Sequence, residues 1–154
     1  MSDALSKLNE LGLSIKRTTM DVGELPRDIT MLASEQLGEK FTILTAWADY
    51  AATQLAVAQV EERAAQKKLE YLENRLLVQR MGAAAKGDRI TLVKAQIAID
   101  QDVRDLELDY EEKYAYRKLV EMMLSNYERD IALVSREMTR RSNDLRSTRK
   151  EWSL

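Results

Sequence analysis

The sequence contains no cysteine and no histidine. Without cysteine there are no disulfide bridges or thiol nucleophiles, and without histidine there are no imidazole bases. Zinc sites built from these two residues are excluded as well. Because most common catalytic devices use one of these side chains, we predict a protein that is not an enzyme and has no metal or cofactor. The lack of cysteine also fits a reducing cytoplasm.

Long apolar runs and turn-forming residues are scarce. No run of about 18 apolar residues is present, and the start Met1-Ser2-Asp3 lacks the basic-then-apolar order of a signal peptide. We therefore expect a soluble, cytoplasmic protein that contacts no membrane. The 154 residues include one proline and five glycines, and 32% of them are charged. This composition is typical of long, surface-charged helices.

Apolar residues recur along the chain with the spacing of a coiled coil. Over residues 37–76 they alternate in steps of four and three, and Glu62 is the only interruption. A 3.5-residue repeat of this length keeps one stripe of a helix against a partner helix. We predict a first long helix over residues 26–80, with a start at Pro26 and a break near Gly38. Its stripe consists of Leu37, Phe41, Leu44, Ala48, Ala51, Leu55, Ala58, Ala65, Leu69, Leu72 and Leu76.

A second long helix is predicted after a turn over residues 81–88. The turn contains Gly82 and Gly87 and ends on Asp88, a residue suited to the start of a helix. The 3.5-residue period then returns over residues 89–142, with a charged interval at Lys113 and Arg117. The second stripe consists of Leu92, Ile99, Val103, Leu106, Tyr110, Val120, Leu124, Tyr127, Ile131, Val134 and Met138.

These elements predict one elongated all-α domain. The two long helices form an antiparallel, coiled-coil-like hairpin, with a short helical segment over residues 1–25 and a basic extension over residues 143–154. A two-helix rod leaves apolar surface exposed, so we expect a homo-oligomer. The residues expected to form its contacts are Leu119, Met122, Met123, Leu124, Tyr127, Ile131, Val134 and Met138.

The charges are unevenly distributed, although the net charge is only −2. Basic residues concentrate around the predicted turn and in the C-terminal segment. A basic face binds phosphates with release of counterions, whatever the base sequence. The same residues could instead form a solvated helix surface. The candidate nucleic-acid-binding residues are Lys67, Lys68, Arg75, Arg80, Lys86, Arg89, Arg136, Arg140 and Arg141.

Acidic and aromatic residues each admit two interpretations. The acidic run that begins at Asp100 favours a solvated helix face, or a match for basic residues on a neighbouring subunit, over a metal site.

Aromatic side chains could stack on bases, but those of the long helices fall at or beside the stripes, so we expect them in the core. They are Trp47, Tyr50, Tyr71, Tyr110, Tyr114, Tyr116 and Tyr127. Trp152, in the basic extension, lies outside both stripes.

Three short motifs lie between residues 37 and 141. Trp47 is followed by Ala65-Gln66-Lys67-Lys68 and then by Glu73-Asn74-Arg75-Leu76, and after the predicted turn comes Ala98-Ile99-Asp100-Gln101-Asp102-Val103. In this order they resemble the UvsY-type recombination mediators of tailed bacteriophages. The second motif is similar to the basic Lys-Ala-Arg-Leu element of that family, and the third is similar to an Ala-Asp-Asp-Val stretch of the family at a similar distance.

The resemblance implies a ring-shaped homo-oligomer that binds single-stranded DNA and acts in DNA recombination, repair and replication. Such a protein helps a RecA-like recombinase to displace single-strand-binding protein, here in the cytoplasm of a bacterial host. Glu73 stands where the family element begins with lysine, so of its two basic positions Arg75 alone is retained. The basic residues that could compensate are Lys67, Lys68, Arg80, Lys86 and Arg89.

A different class of function also fits the pattern. The chain could be a non-enzymatic coiled-coil scaffold or adaptor that binds protein partners and no DNA. The basic residues at the turn and in the C-terminal segment would then contribute only to solubility and to the pairing of the helices. The two interpretations differ in whether the protein binds DNA, and whether salt weakens that binding.

Overall fold

The computed structural model describes residues 3–12, 16–83 and 90–151. These residues form the helices α1 (Asp3–Glu10), α2 (Ser34–Ala83), α3 (Ile90–Ala98) and α4 (Gln101–Glu151), with a 3₁₀ turn at Ile29–Met31. Over the same ranges the chain contains no β-strand, and α2 and α4 pack against each other. The predicted all-α class with a pair of long packed helices is therefore confirmed. Along the described ranges, no helix has both the length and the apolar character needed to cross a membrane.

Helix α2 begins at Ser34, and not at Pro26 as predicted. The chain turns before the helix because the backbone N–H and the hydroxyl of Thr30 donate hydrogen bonds to the Asp28 carboxylate. Such local bonding of an aspartate competes with the start of a helix. From Ser34 the helix continues through Gly38 without interruption, so the break predicted near this glycine is also wrong.

The predicted second helix is divided into α3 and α4 by a break at Asp100. The carboxylate of Asp100 accepts a hydrogen bond of 3.3 Å from the second backbone N–H of α4, and thereby caps that helix. The break changes which side of α3 meets the core. Val93 and Ile97 are buried, whereas Leu92 and Ile99, predicted for the stripe, are exposed. The predictions of one continuous helix and of these two stripe positions are wrong.

Helix α4 extends to Glu151, beyond the end predicted at residue 142. The segment after residue 142 contains no glycine or proline that would stop a helix. Arg140 also donates to the Asp144 carboxylate one turn later, at 2.9 Å, which supports the helix across the predicted boundary. The basic extension is therefore the last part of α4 as far as Glu151, and Trp152 lies outside the described residues.

The chain divides into two compact units, each with a part of α2 and a part of α4. Unit 1 comprises Met1–Gly12 and Leu55–Leu119, and unit 2 comprises Leu13–Gln54 and Val120–Leu154. The core of unit 1 joins the predicted stripes of both long helices to α3. Its buried residues are Leu72, Val93, Ile97 and Val103, with Leu69, Leu76, Leu77 and Leu106 packed against them.

Charged residues that interrupt the two stripes lie opposite each other in unit 1. Arg117 donates to the Glu62 carboxylate, and these side chains are only 17% and 16% exposed. Lys113 lies beside Glu61, with 3.9 Å between the ammonium and the carboxylate oxygen. A charge at a buried position is stabilised when its partner stands opposite, so these pairs favour one register of the two helices.

Unit 2 has a separate core around Leu37, Leu44 and Val134, which have no exposed surface. The residues packed against it are Val22, Leu25, Ile29, Leu32, Phe41, Tyr127 and Ile131. Three residues predicted to join copies of the chain, Tyr127, Ile131 and Val134, are therefore used inside one chain. A 3.5-residue stripe does not tell whether its partner helix belongs to the same chain or to another.

The remaining residues predicted for oligomer contacts differ in exposure. Leu124 is half-buried, whereas Leu119, Met122, Met123 and Met138 are exposed. The exposed members leave apolar surface on α4 that no described residue covers.

An extended segment lies along α2 in unit 2. The indole N–H of Trp47 donates to the Met20 carbonyl at 2.9 Å, and the Lys40 ammonium donates to the carbonyl just before Gly23. Gly23 has a φ of 58°, and a Cβ atom there would lie 2.9 Å from the Lys40 ammonium nitrogen. The positive φ favours glycine here, because other residues adopt it only with strain, whereas the Lys40 ammonium lies at the end of a flexible side chain and could move aside. The Arg17 guanidinium stacks on the Trp47 ring, 5.2 Å from its centre, and holds the segment further.

Candidate nucleic-acid interface

The basic residues predicted at the turn do not form a free basic surface in the described part of the chain. Arg80 donates to the Asp100 carboxylate, and both side chains are about one-quarter to one-third exposed. This ion pair neutralises the charge that a phosphate would need. Lys86 and Arg89 lie outside the described residues.

Two of the three predicted C-terminal arginines are bound to one acidic residue. Arg140 and Arg141 donate to the Glu137 carboxylate at 2.8 and 2.7 Å, and Glu137 is buried. These hydrogen bonds, from Arg140 and then Arg141, lower the pKa of Glu137 from 4.5 to about 2. Arg141 also donates to the Thr30 carbonyl at 3.0 Å, so it joins α4 to the segment before α2. Arg136 is exposed, and its side chain has no partner among the described residues.

The three predicted basic residues in the middle of α2 form an exposed face around an aromatic ring. Lys67 and Lys68 precede Tyr71 by four and three residues, and Arg75 follows it by four. Residues at these spacings are neighbours on a helix surface. All four side chains are exposed, Tyr71 to 69%, and the three cations have no ion pair in the described ranges. We call these four residues the α2 basic face.

Tyr71 corrects the prediction that the aromatic residues of the long helices pack in the core. It stands directly before the buried stripe residue Leu72, and successive side chains of a helix point about 100° apart. Tyr114 and Tyr116 are also exposed, to 43% and 46%. The prediction that they pack in the core is therefore wrong as well. The remaining aromatic residues of the predicted set are half-buried: Trp47, Tyr50, Tyr110 and Tyr127.

In the described ranges, neither acidic residue of this part of α2, Glu70 or Glu73, forms an ion pair with the cations of the basic face. Glu73 follows Tyr71 by two residues, which places it about 200° around the helix. It lines a shallow groove of about 330 Å³ that faces α3, together with Leu77 and Lys94. Glu70 accepts a hydrogen bond of 2.9 Å from Gln66. Glu73, which replaces a lysine of the resembled family element, therefore does not neutralise the α2 basic face.

The acidic run of α4 has no metal-binding geometry in the described ranges, where no three acidic side chains converge. Asp100 is used for the cap of α4 and for the ion pair with Arg80. Asp105 accepts a hydrogen bond of 2.7 Å from Gln101 on the same helix. The others of the run face solvent or are half-buried.

The α2 basic face offers two kinds of contact to a polyanion with bases. Its cations lie between Lys67 and Arg75, eight steps or about 12 Å apart along the helix. Lysine binds phosphate as a point charge, and arginine binds it through two parallel hydrogen bonds. The exposed Tyr71 ring offers a surface on which a base can stack, worth roughly 1–3 kcal/mol per base.

No family model, curated protein or solved structure matches the chain. The assignment of a function therefore rests on the residues and contacts described above.

Proposed function

We propose that the chain binds single-stranded DNA through the α2 basic face. The observation that carries the proposal is the exposed ring of Tyr71, with cations one turn to either side that form no ion pair with any described residue. An aromatic side chain is costly to leave in water, and neighbouring cations keep it from packing into an apolar core. A nucleic-acid strand satisfies both groups, because its bases cover the ring and its phosphates pair with the cations.

A single strand fits this face better than a duplex does. In a duplex each base face is covered by the next base pair, so a ring on the outside of a helix has nothing to stack on. In a single strand the bases are free to turn outward and stack on Tyr71. Neither stacking nor phosphate contact depends on base identity, so the proposed binding is independent of sequence.

We further propose that this binding serves recombination. The motifs that resemble phage recombination mediators, Ala65-Gln66-Lys67-Lys68 and Glu73-Asn74-Arg75-Leu76, contribute all three cations of the α2 basic face. In this role the protein, acting in a bacterial host cytoplasm, helps a RecA-like recombinase replace single-strand-binding protein on DNA. A mediator requires no catalytic site, because it changes only which protein occupies the strand.

A scaffold or adaptor is the second candidate, and exposed apolar residues favour it. Val60, Val78, Leu108 and Leu119 are all more than half exposed in unit 1. Such a surface binds proteins by burial of apolar area and not by charge. A measurement of DNA binding distinguishes the two candidates, because the mediator binds DNA and the scaffold does not.

The test is titration of a fluorescently labelled dT oligonucleotide with the protein, followed by anisotropy at about 50 and about 300 mM salt. Three phosphate contacts on a single strand predict an affinity that falls by roughly 40-fold between these salt concentrations. A dA·dT duplex of equal length serves as the control and is expected to bind more weakly. Absence of binding to the dT oligonucleotide at the lower salt would contradict the proposal and favour the scaffold.

A further inference from the structure

Both long helices carry a second apolar stripe in unit 1, on the side away from the core. On α2 it includes Val60 and Tyr71, and on α4 it includes Leu108 and Leu119, and all four side chains are 57–69% exposed. The steps along each stripe are again four and three residues. A 3.5-residue repeat on an exposed side predicts a further partner helix.

The two outer stripes match each other in register. Within unit 1, α2 and α4 are antiparallel, because Glu62 lies opposite Arg117 while Arg80 lies opposite Asp100. In an antiparallel pair, each step forward along α2 corresponds to one step back along α4. A residue of α2 and a residue of α4 therefore lie side by side when their numbers add up to the same sum as those of Glu62 and Arg117. On the outer stripes these pairs are Val60 with Leu119, Ala64 with Ala115, Lys67 with Glu112, and Tyr71 with Leu108. Apolar residues thus match apolar ones, and the lysine matches a glutamate.

We propose that the outer stripe of α2 in one copy of the chain packs against the outer stripe of α4 in a second copy, at equal height. The occupant is a second copy because the chain itself holds the complementary stripe, in charge as well as in spacing. The contact cannot form within one chain, since both stripes point away from the core they share. It joins two different surfaces, so in a pair one copy keeps a free stripe on α4 and the other keeps a free stripe on α2, and further copies can add to both.

In the proposed contact, the second copy of the chain lies on the α2 basic face. Tyr71 and Lys67 would be covered by Leu108 and Glu112 of the second copy. Single-stranded DNA and a second copy therefore compete for the same face. This competition rests on the proposed DNA binding, whereas the contact between copies does not.

The contact is tested by exchange of the two opposed charges. Lys67→Glu and Glu112→Lys each place like charges opposite one another, and the double variant restores an opposite pair. We expect the wild type to sediment as more than two copies. Each single variant is expected to raise the dissociation constant of the assembly at least about tenfold, and the double variant to return it to near the wild-type value. Sedimentation velocity over a range of protein concentrations measures all three.

A matched control is Glu107→Lys, which makes the same charge change at another exposed glutamate of α4. Glu107 lies about 140° around the helix from Glu112, so we expect this variant to assemble like the wild type. Circular dichroism checks that each variant is helical. A wild type that stays monomeric or stops at two copies would overturn the contact, as would an exchange variant that assembles no better than the single ones. Addition of a dT oligonucleotide to the wild-type assembly then tests the competition: release of smaller DNA-bound species supports it, and DNA bound to the intact assembly contradicts it.

Discussion

Reversal of the three charges on the α2 basic face is expected to weaken binding of single-stranded DNA by at least about 100-fold at low salt. In the variant Lys67→Glu, Lys68→Glu, Arg75→Glu, three phosphate contacts are lost and repulsion takes their place. The slope of the logarithm of affinity against the logarithm of salt concentration should also fall by about 2, because each contact with a single strand contributes roughly 0.7. Anisotropy titrations at several salt concentrations measure both effects.

The control for this variant reverses three other exposed arginines, Arg27, Arg104 and Arg129, and so produces the same net charge. None of them belongs to the α2 basic face. We expect the control to bind within about threefold of the wild type, with only long-range repulsion added. If both variants lost affinity equally, the protein would bind DNA through its overall charge, and the assignment of the face would be wrong.

Removal of the half-buried cation Arg117 is expected to lower the free energy of unfolding by about 2 kcal/mol. In Arg117→Leu, the Glu62 carboxylate loses the partner that compensates for its burial. Loss of one partner from a fully buried pair costs roughly 3 to 5 kcal/mol, and the residual exposure of these side chains reduces the effect. Urea denaturation followed by circular dichroism measures the loss.

The double variant Glu62→Leu, Arg117→Leu shows whether the pair stabilises the fold or selects a register. Two leucines extend the apolar stripes across this layer, so we expect the double variant to be at least as stable as the wild type. A double variant less stable than the wild type would show that the pair itself contributes net stability. In either case the pair limits which residues of α2 and α4 stand opposite each other.

The core of the fold could be predicted from the sequence because it follows from a repeat. The steps of four and three place Leu37, Leu44 and Leu72 on one side of α2, and all three are buried. The ends of the helices depend on single polar side chains. Asp28 and Asp100 each accept a hydrogen bond from a nearby backbone N–H, and an apolar pattern carries no record of such bonds.

The candidate site was only partly predictable for a similar reason. Charge alone predicts Lys67, Lys68 and Arg75, whereas the position of Tyr71 beside the stripe predicts a core residue. The angle of about 100° between Tyr71 and Leu72 around the helix follows from the sequence, and it places Tyr71 among the cations.

Ion pairing decided which of the other basic residues remain free. The spacing of Glu137 to Arg140 and Arg141 is visible in the sequence and indicates local pairs. The pairing of Arg80 with Asp100 joins residues 20 apart in the chain and depends on the path between α2 and α3. No repeat or local spacing predicts it.

The most direct test of the central claim is to find which residue touches a base. A dT oligonucleotide with 5-iodouridine at one position is bound to the full chain and irradiated, which joins the modified base to an aromatic ring stacked on it. Digestion and mass spectrometry then identify the joined residue. Binding on the α2 basic face predicts that Tyr71 is the principal crosslinked residue and that Tyr71→Phe retains the crosslink. Crosslinks confined to other aromatic residues, with Tyr71 unmodified, would contradict it.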